Sequence, residues 1–425
     1  MSASTSRPPG PRASRLLGNT LAYDRDRLGF LRAAQQEYGD VLSYDRRTTL
    51  IGDPELIHQV LARTNTDFDG DGSPFSDEVD LEGAAASSDS WMAARRVGWH
   101  RLSRTAVTAH VGRLRELVDR TFPGPGVIDP MPTFERLMGA ATADHCLGHS
   151  AAGVPELVAA NTAALVPVGG TSYRVPSWWP GRRQRSFVAL RAELMDRLGE
   201  AVAGRIAERR GRSGEPRDLL DQLLAGAEPV DAVSARRFVR GVLMAGYGVP
   251  AAAMAWVLAD LAAYPQEAER VRAEADAAGS DGVAELPVTS AFIREVLRRR
   301  PPTWLIGRRV RSGTQLGRWP LPAGYEVVFS PYLLHRDPRW WRDPTGFDLD
   351  RWLPGAPAPR RHTYIPFGAG PRVCVGAQLG MLQLALVTTW LVRRFDLVVE
   401  TPPAERFEGL LVPGDFRAEL VERRG

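Results

Sequence analysis

Cys374 closes the run Pro366-Phe367-Gly368-Ala369-Gly370-Pro371-Arg372-Val373-Cys374-Val375-Gly376, and an apolar helical stretch from Ala377 to about Val392 follows at once. A cysteine in a tight Gly/Pro loop, aimed at a helix N-terminus, is suited to act as a thiolate. The loop's backbone N–H groups and the positive helix end stabilise negative charge on sulfur. Arg372 adds a fixed cation two residues away. A single cysteine is by default a buried, inert small hydrophobe, but that role asks for neither the glycines nor Arg372.

Glu295 and Arg298 lie three apart in Arg294-Glu295-Val296-Leu297-Arg298 and share a helix face at that spacing. Alone, such a pair reads as an ordinary surface ion pair. Here Pro301-Pro302 follows, then His335-Arg336-Asp337-Pro338-Arg339, then Phe347-Asp348-Leu349-Asp350-Arg351-Trp352. In this order, and with the cysteine loop, these segments resemble the cytochrome P450 family from about Pro8 to the C-terminus. The cysteine loop matches the family's Phe-Gly-x-Gly-x-Arg-x-Cys-x-Gly pattern. The resemblance implies a mainly α fold with small β-sheets, heme b (iron protoporphyrin IX) as cofactor, and Cys374 as the proximal metal ligand beside Phe367. It also implies a buried ion triad of Glu295, Arg298 and Arg351, since buried charges persist only when fully partnered. The two haem propionates need fixed cations, and arginine forks onto carboxylates. The family's partners fall on Arg95, which follows Trp91 in a Trp-x-x-x-Arg helix, on Arg308, with Arg309 as its rival, and on Arg372.

The helix above the distal face of the haem should run from Val239 to about Leu261, anchored by Ala245-Gly246 and by Trp256 eleven residues after Ala245. Family members usually place an acid and a threonine next. Here Gly248 and Val249 stand there, followed by Pro250, and neither side chain can hold a proton. Pro250 lacks an N–H, so the Gly246 carbonyl should lose its helical partner and be free to hold a water. Tyr247 would help only if it pointed inward. Protons are therefore expected from a water on Gly246 or from a substrate hydroxyl. Two other readings stand beside this: ordinary hydroxylation that tolerates the changes, and a rearrangement that consumes no oxygen.

The pocket is expected to be lined by Thr66–Ser90, Leu165–Trp179, the Met244–Val249 stretch with Met244 and Tyr247, Thr303, Trp304, Leu305, Ile306 and the Leu410–Val412 stretch with Leu411 at its centre. Such a lining suits a bulky apolar metabolite, such as a terpenoid, polyketide or aromatic peptide. The reactions in view are hydroxylation, epoxidation or oxidative coupling and ring formation. The alternatives are a haem-dependent cyclase or isomerase and a haem protein that binds a ligand without turnover.

The elements that must position these residues follow from the rest of the chain. Its 425 residues are 44% hydrophobic, enough for a large core. No linker or repeat detaches a second unit, so residues 1–19 read as a flexible leader and 20–425 as one haem domain. Helices are expected over Leu28–Tyr38, from Asp53-Pro54-Glu55 to about Ala62, and through most of Trp91–Asp343. Breaks are expected at Val166–Gly181, Gly211–Pro216 and Gly279–Pro287. Val41–Tyr44 and Thr48–Gly52 alternate as a hairpin, Thr66–Ser90 reads as an acidic loop, and short strands are expected near Arg309–Arg311, Glu326–Ser330 and the C-terminus.

Only Cys146 and Cys374 occur, so no disulfide framework is implied and a reducing cytoplasm fits. Seven histidines show no paired ligand spacing, so zinc is not expected. All 54 basic residues are arginine, against 50 acidic ones, with no basic tail that would bind nucleic acid. No signal peptide or membrane-spanning run is expected. With no reductase segment in view, the resemblance implies a monomer served by a separate ferredoxin and ferredoxin reductase. An arginine-rich face around the Cys374 loop would dock the acidic ferredoxin.

Overall fold

The computed structural model describes residues 7–12, 18–70, 81–103, 108, 110–169, 181–209, 214–225, 230–279 and 286–423. Its axis is one helix, Ala232–Ala263, whose N-terminus is capped by Asp231 accepting from the N–H groups of Val233 and Ser234. This helix, unlike the sequence expectation, is long and apolar enough to cross a membrane, but 72% of its apolar window is buried inside the fold. It serves as the core helix. Pro130–Leu147 packs along it, with Leu81–Trp99, Arg182–Arg209 and Ala377–Arg394 around the pair. Two faces of the central helix therefore enter two hydrophobic clusters. Trp256, Met254 and Leu258 join one, and Phe238, Val242 and Tyr247 join the other.

A five-stranded sheet flanks the helices in the order Val41–Ser43, Thr48–Ile51, Glu326–Phe329, Ile306–Val310, Phe68–Asp69. Thr48 pairs with Glu326 in parallel, and Arg308 pairs with Val327 in antiparallel register. Asp53 caps Pro54–Ala62, with proline at the first turn, as its sequence dictates. At the outer edge of the sheet Ser43 donates its N–H to the Pro9 carbonyl at 2.8 Å and its hydroxyl to the Pro8 carbonyl at 2.9 Å. This part of the N-terminal leader is thus tied to the first strand. Smaller sheets join Gly126–Ile128, Ala418–Glu422 and Phe395–Val398, and pair Glu405–Phe407 with Leu411–Pro413.

The Thr66–Ser90 stretch departs from its expected loop character. Phe68–Asp69 forms the edge strand of the main sheet, and a helix already begins at Leu81. Its alanines are strong helix formers, a signal masked by the surrounding acidic residues. The hairpin Thr314–Leu316 with Trp319–Leu321 was also not expected. The helix that should break near Val166 continues to Gly169. The remainder of the expected Leu165–Trp179 pocket wall, residues 170–179, lies outside the described residues.

Candidate functional site

The cysteine loop is held by its own backbone. Cys374 donates its N–H to the Phe367 carbonyl at 2.8 Å, and Val373 donates to Gly370 at 3.1 Å. Gly370 has φ +71°, and a Cβ there would lie 2.2 Å from the Leu61 carbonyl oxygen. Only glycine permits both that conformation and that approach. The loop is thereby pinned to the end of the Pro54–Ala62 helix.

Cys374 keeps solvent-accessible surface, although its surroundings are dense enough for desolvation to dominate its titration. Burial raises the thiol above the ordinary cysteine value, and the Gly376 N–H and the nearby Arg95 cation offset this only in part. The loop alone therefore does not make the thiolate that its sequence leads one to expect. A coordinated metal would, because its charge deprotonates a thiol outright. On the central helix Ala245 is exposed, although Leu243 and Tyr247 beside it are buried. Val375 and Met244 pack in the same cluster as Val242 and Leu379. Ala245 on the central helix and Cys374 in the loop each present a small accessible side chain.

Arginines converge on the loop. Arg95 donates to the Val373 carbonyl at 2.5 Å and lies over the Trp99 ring at 5.2 Å. One turn earlier Trp91 packs on Phe238, and a Cβ at Gly241 would meet its ring at 2.6 Å. One helix face therefore touches both the cysteine loop and the central helix. Arg372 Nε donates to Asn65 Oδ1 at 2.8 Å, and Arg308 Nε donates to the adjacent Thr64 Oγ1 at 3.3 Å. Thr64 and Asn65 thus draw Arg308 and Arg372 together. Strand alternation sends Arg309 to the other face, where it registers with Asp69 and Glu326. The sequence gives no local sign of the Thr64-Asn65 bridge.

Glu295 and Arg298 have fully buried side chains and form a two-bond fork, at 2.9 and 2.8 Å. Arg351 Nε stands 3.4 Å from Glu295 Oε1. Trp352 Nε1 donates to Glu295 Oε2 at 2.9 Å, and the Asp348 N–H donates to Oε1 at 3.0 Å. Arg298 also donates to the carbonyls of His335, Pro344 and Gly346. The two charges are thus surrounded by hydrogen-bond partners, as burial requires.

The distal helix brings three corrections. The Gly246 carbonyl, expected to be free, accepts the Thr142 hydroxyl at 3.0 Å. Tyr247, expected to line the pocket, turns to the Pro130–Leu147 helix, where a Cβ at Gly139 would meet its ring at 2.8 Å. Its hydroxyl lies near Glu135; burial pushes that carboxyl up, and burial with the Glu135 charge pushes the phenol up to about 12. Trp304 and Leu411, also expected in the pocket, are core residues at 2% and 0% exposure. Trp304 Nε1 donates to the Glu408 carbonyl at 2.9 Å, and the Leu411 carbonyl accepts Trp256 Nε1 at 3.2 Å. Leu410 instead approaches the helix, at 3.4 Å from where a Gly248 Cβ would stand. Met244, Thr303, Leu305 and Val249 are half-buried.

An accessible cysteine sulfur, with Arg95 and Arg372 at its loop and Arg308 held beside Arg372, fits an iron porphyrin with two carboxylates. The comparisons agree. The curated relatives include cyclooctat-9-en-7-ol 5-monooxygenase of Streptomyces melanosporofaciens, 29% identical over 90% of this chain and 87% of that protein. Cyclooctatin synthase of the same organism is 27% identical over 90% of this chain and 88% of that protein. Among solved structures, the cytochrome P450DA heme domain superposes with TM-score 0.80 at 20% identity, covering 99% of this chain and 98% of that one. A retinoic acid-bound cyanobacterial CYP120A1 does so with TM-score 0.83 at 18% identity, covering 99% and 100%. The family model described as cytochrome P450 matches residues 8–415, so the chain belongs to the cytochrome P450 family and is a heme b-binding oxidoreductase of the monooxygenase type.

Proposed function

We propose that the enzyme oxidises a bulky, largely apolar specialised metabolite of terpenoid type, by hydroxylation, epoxidation or oxidative ring formation. Electrons come from a separate ferredoxin and ferredoxin reductase in the cytoplasm. The observation that carries this reading is the apolar stretch of the central helix: Ala245 is exposed, Val249 is half-buried, and Leu410 approaches Gly248. The names of the two Streptomyces relatives, one acting on an unsaturated alcohol, support the substrate class.

In this reading Cys374, beside Phe367, would hold the iron, and Arg95, Arg308 and Arg372, with Trp91 on the helix of Arg95, would hold the propionates. Glu295, Arg298 and Arg351 act on the frame and touch no substrate. Haem bound there supplies the activation of dioxygen. The chain's own residues bind and orient the substrate and exclude water. Gly248 and Val249 carry no proton, and Thr142 occupies the Gly246 carbonyl. A hydroxyl on the substrate is then the donor that the site itself lacks.

The test is spectroscopic. Reduced protein with carbon monoxide shows the red-shifted thiolate Soret band, and Cys374→Ala abolishes it. An unshifted band in the parent protein sinks the assignment. A second reading, a haem-dependent isomerase, is favoured by the missing acid and threonine. Turnover without supplied electrons would select it.

A further inference from the structure

Pro250 removes the N–H that would close the helical bond of Gly246, yet the helix runs unbroken from Ala232 to Ala263. The Thr142 hydroxyl takes up the carbonyl at 3.0 Å from the neighbouring helix. Thr142 is 1% exposed, so its hydroxyl has little access to bulk water as an alternative partner. The match is steric as well. A Cβ at Gly246 would lie 2.5 Å from Thr142 Cγ2 and 2.7 Å from its Oγ1. Glycine at 246 is therefore what lets the threonine approach.

The same face of the Pro130–Leu147 helix carries Glu135 and Gly139, at spacings that place all of them on one side. Gly139 leaves room for the Tyr247 ring, which a Cβ there would meet at 2.8 Å. Residues 246 and 247 are thus gripped from one direction. Gly248 and Val249 come next in the chain, and Gly248 looks toward Leu410.

We propose that Thr142 is a positioning residue: its hydroxyl replaces the N–H missing at Pro250, and by fixing the Gly246 peptide it sets where Gly248 and Val249 stand against the substrate. An uncapped buried carbonyl costs far more than a capped one contributes. The hydroxyl therefore matters only while residue 250 is proline.

The experiment uses the haem-loaded protein with Thr142→Val, Thr142→Ser, Pro250→Ala and the Val/Ala double variant. Amide exchange is followed by mass spectrometry in peptides spanning residues 243–254, alongside the ferric Soret position. Thr142→Val should speed exchange about tenfold, or about 1.4 kcal/mol of local stability, and shift the Soret band. Thr142→Ser should match the parent. With Pro250→Ala the restored backbone N–H closes the bond, so adding Thr142→Val should change little. Unchanged exchange or an unmoved Soret band in Thr142→Val overturns the proposal, as does an equal penalty in both backgrounds. A protein that never shows the thiolate band would instead overturn the haem reading, and the exchange cycle would still stand.

Discussion

Ile365 donates its backbone N–H to His335 Nε2 at 2.9 Å, while His335 Nδ1 lies 3.2 Å from the Arg298 carbonyl oxygen. The tautomer follows: Nε2 accepts, so Nδ1 carries the hydrogen. The ring couples the Glu295–Arg298 helix to the segment that enters the cysteine loop. Protonation would set an Nε2–H against the Ile365 N–H, with Arg298 and Arg336 as further cations nearby.

Burial lowers His335 from 6.5 to about 3, and His145 likewise, while His110 is also lowered. A depressed histidine gives stability that is complete above its unfolded value and lost as pH falls toward its folded one. Denaturant resistance should therefore hold above pH 6.5 and fall between 6.5 and about 3, by up to about 1.4 kcal/mol per pH unit for each group. His335→Leu should cost about 1–3 kcal/mol at neutral pH through the orphaned Ile365 N–H, and its acid slope should be shallower by one proton's share. Guanidinium midpoints across this range decide it, and an unaltered slope would show that His335 does not contribute.

Glu295 holds two arginines, and its side chain is fully buried. Glu295→Gln removes the charge and leaves Arg298 a buried cation without its counter-ion. The expected loss is about 3–5 kcal/mol, seen as a lower unfolding midpoint and poor haem retention. A loss under about 1 kcal/mol, the range of exposed pairs, would mean that the carbonyls of His335, Pro344 and Gly346 alone satisfy Arg298.

What the sequence disclosed and what it hid divide by distance along the chain. The Gly370 turn, the Asp53 cap and the Glu295–Arg298 pair depend on neighbours a few residues away, and spacing displays them. The link from Thr142 to Gly246 joins two helices 104 positions apart, and nothing near either residue announces it. Pro250 showed only that a carbonyl would need a partner. Trp304 and Leu411 were apolar and close to the site in sequence, but indole and backbone bonds fix both in the core. Apolar character says that a residue is buried, not whether it meets substrate or protein.

Tyr247 and Leu410 test that distinction. Tyr247→Phe removes only a hydroxyl on the ring that packs at Gly139 and should leave the substrate-induced spectral shift with an unchanged Kd. Leu410→Ala should weaken binding by about tenfold, since a pocket-facing side chain of that size contributes about 1.5–3 kcal/mol when buried. A titration in which Tyr247→Phe weakens binding as much as Leu410→Ala would place the phenol in the pocket after all.

The distal positions can be given what they lack. A Cβ at Gly248 meets only Leu410 Cδ1, at 3.4 Å, an ordinary contact, so the first carbon of a side chain fits there. Gly248→Glu with Val249→Thr installs an acid and a hydroxyl that can hold and pass a proton. If a substrate hydroxyl now performs that role, a substrate analogue lacking the hydroxyl should be turned over poorly by the parent and better by the double variant. The measured quantity is product formed per electron consumed. The true substrate should gain little, because its own donor already occupies the site. If the analogue is coupled equally well by both proteins, proton supply does not depend on the substrate hydroxyl, and Gly248 and Val249 are only shape.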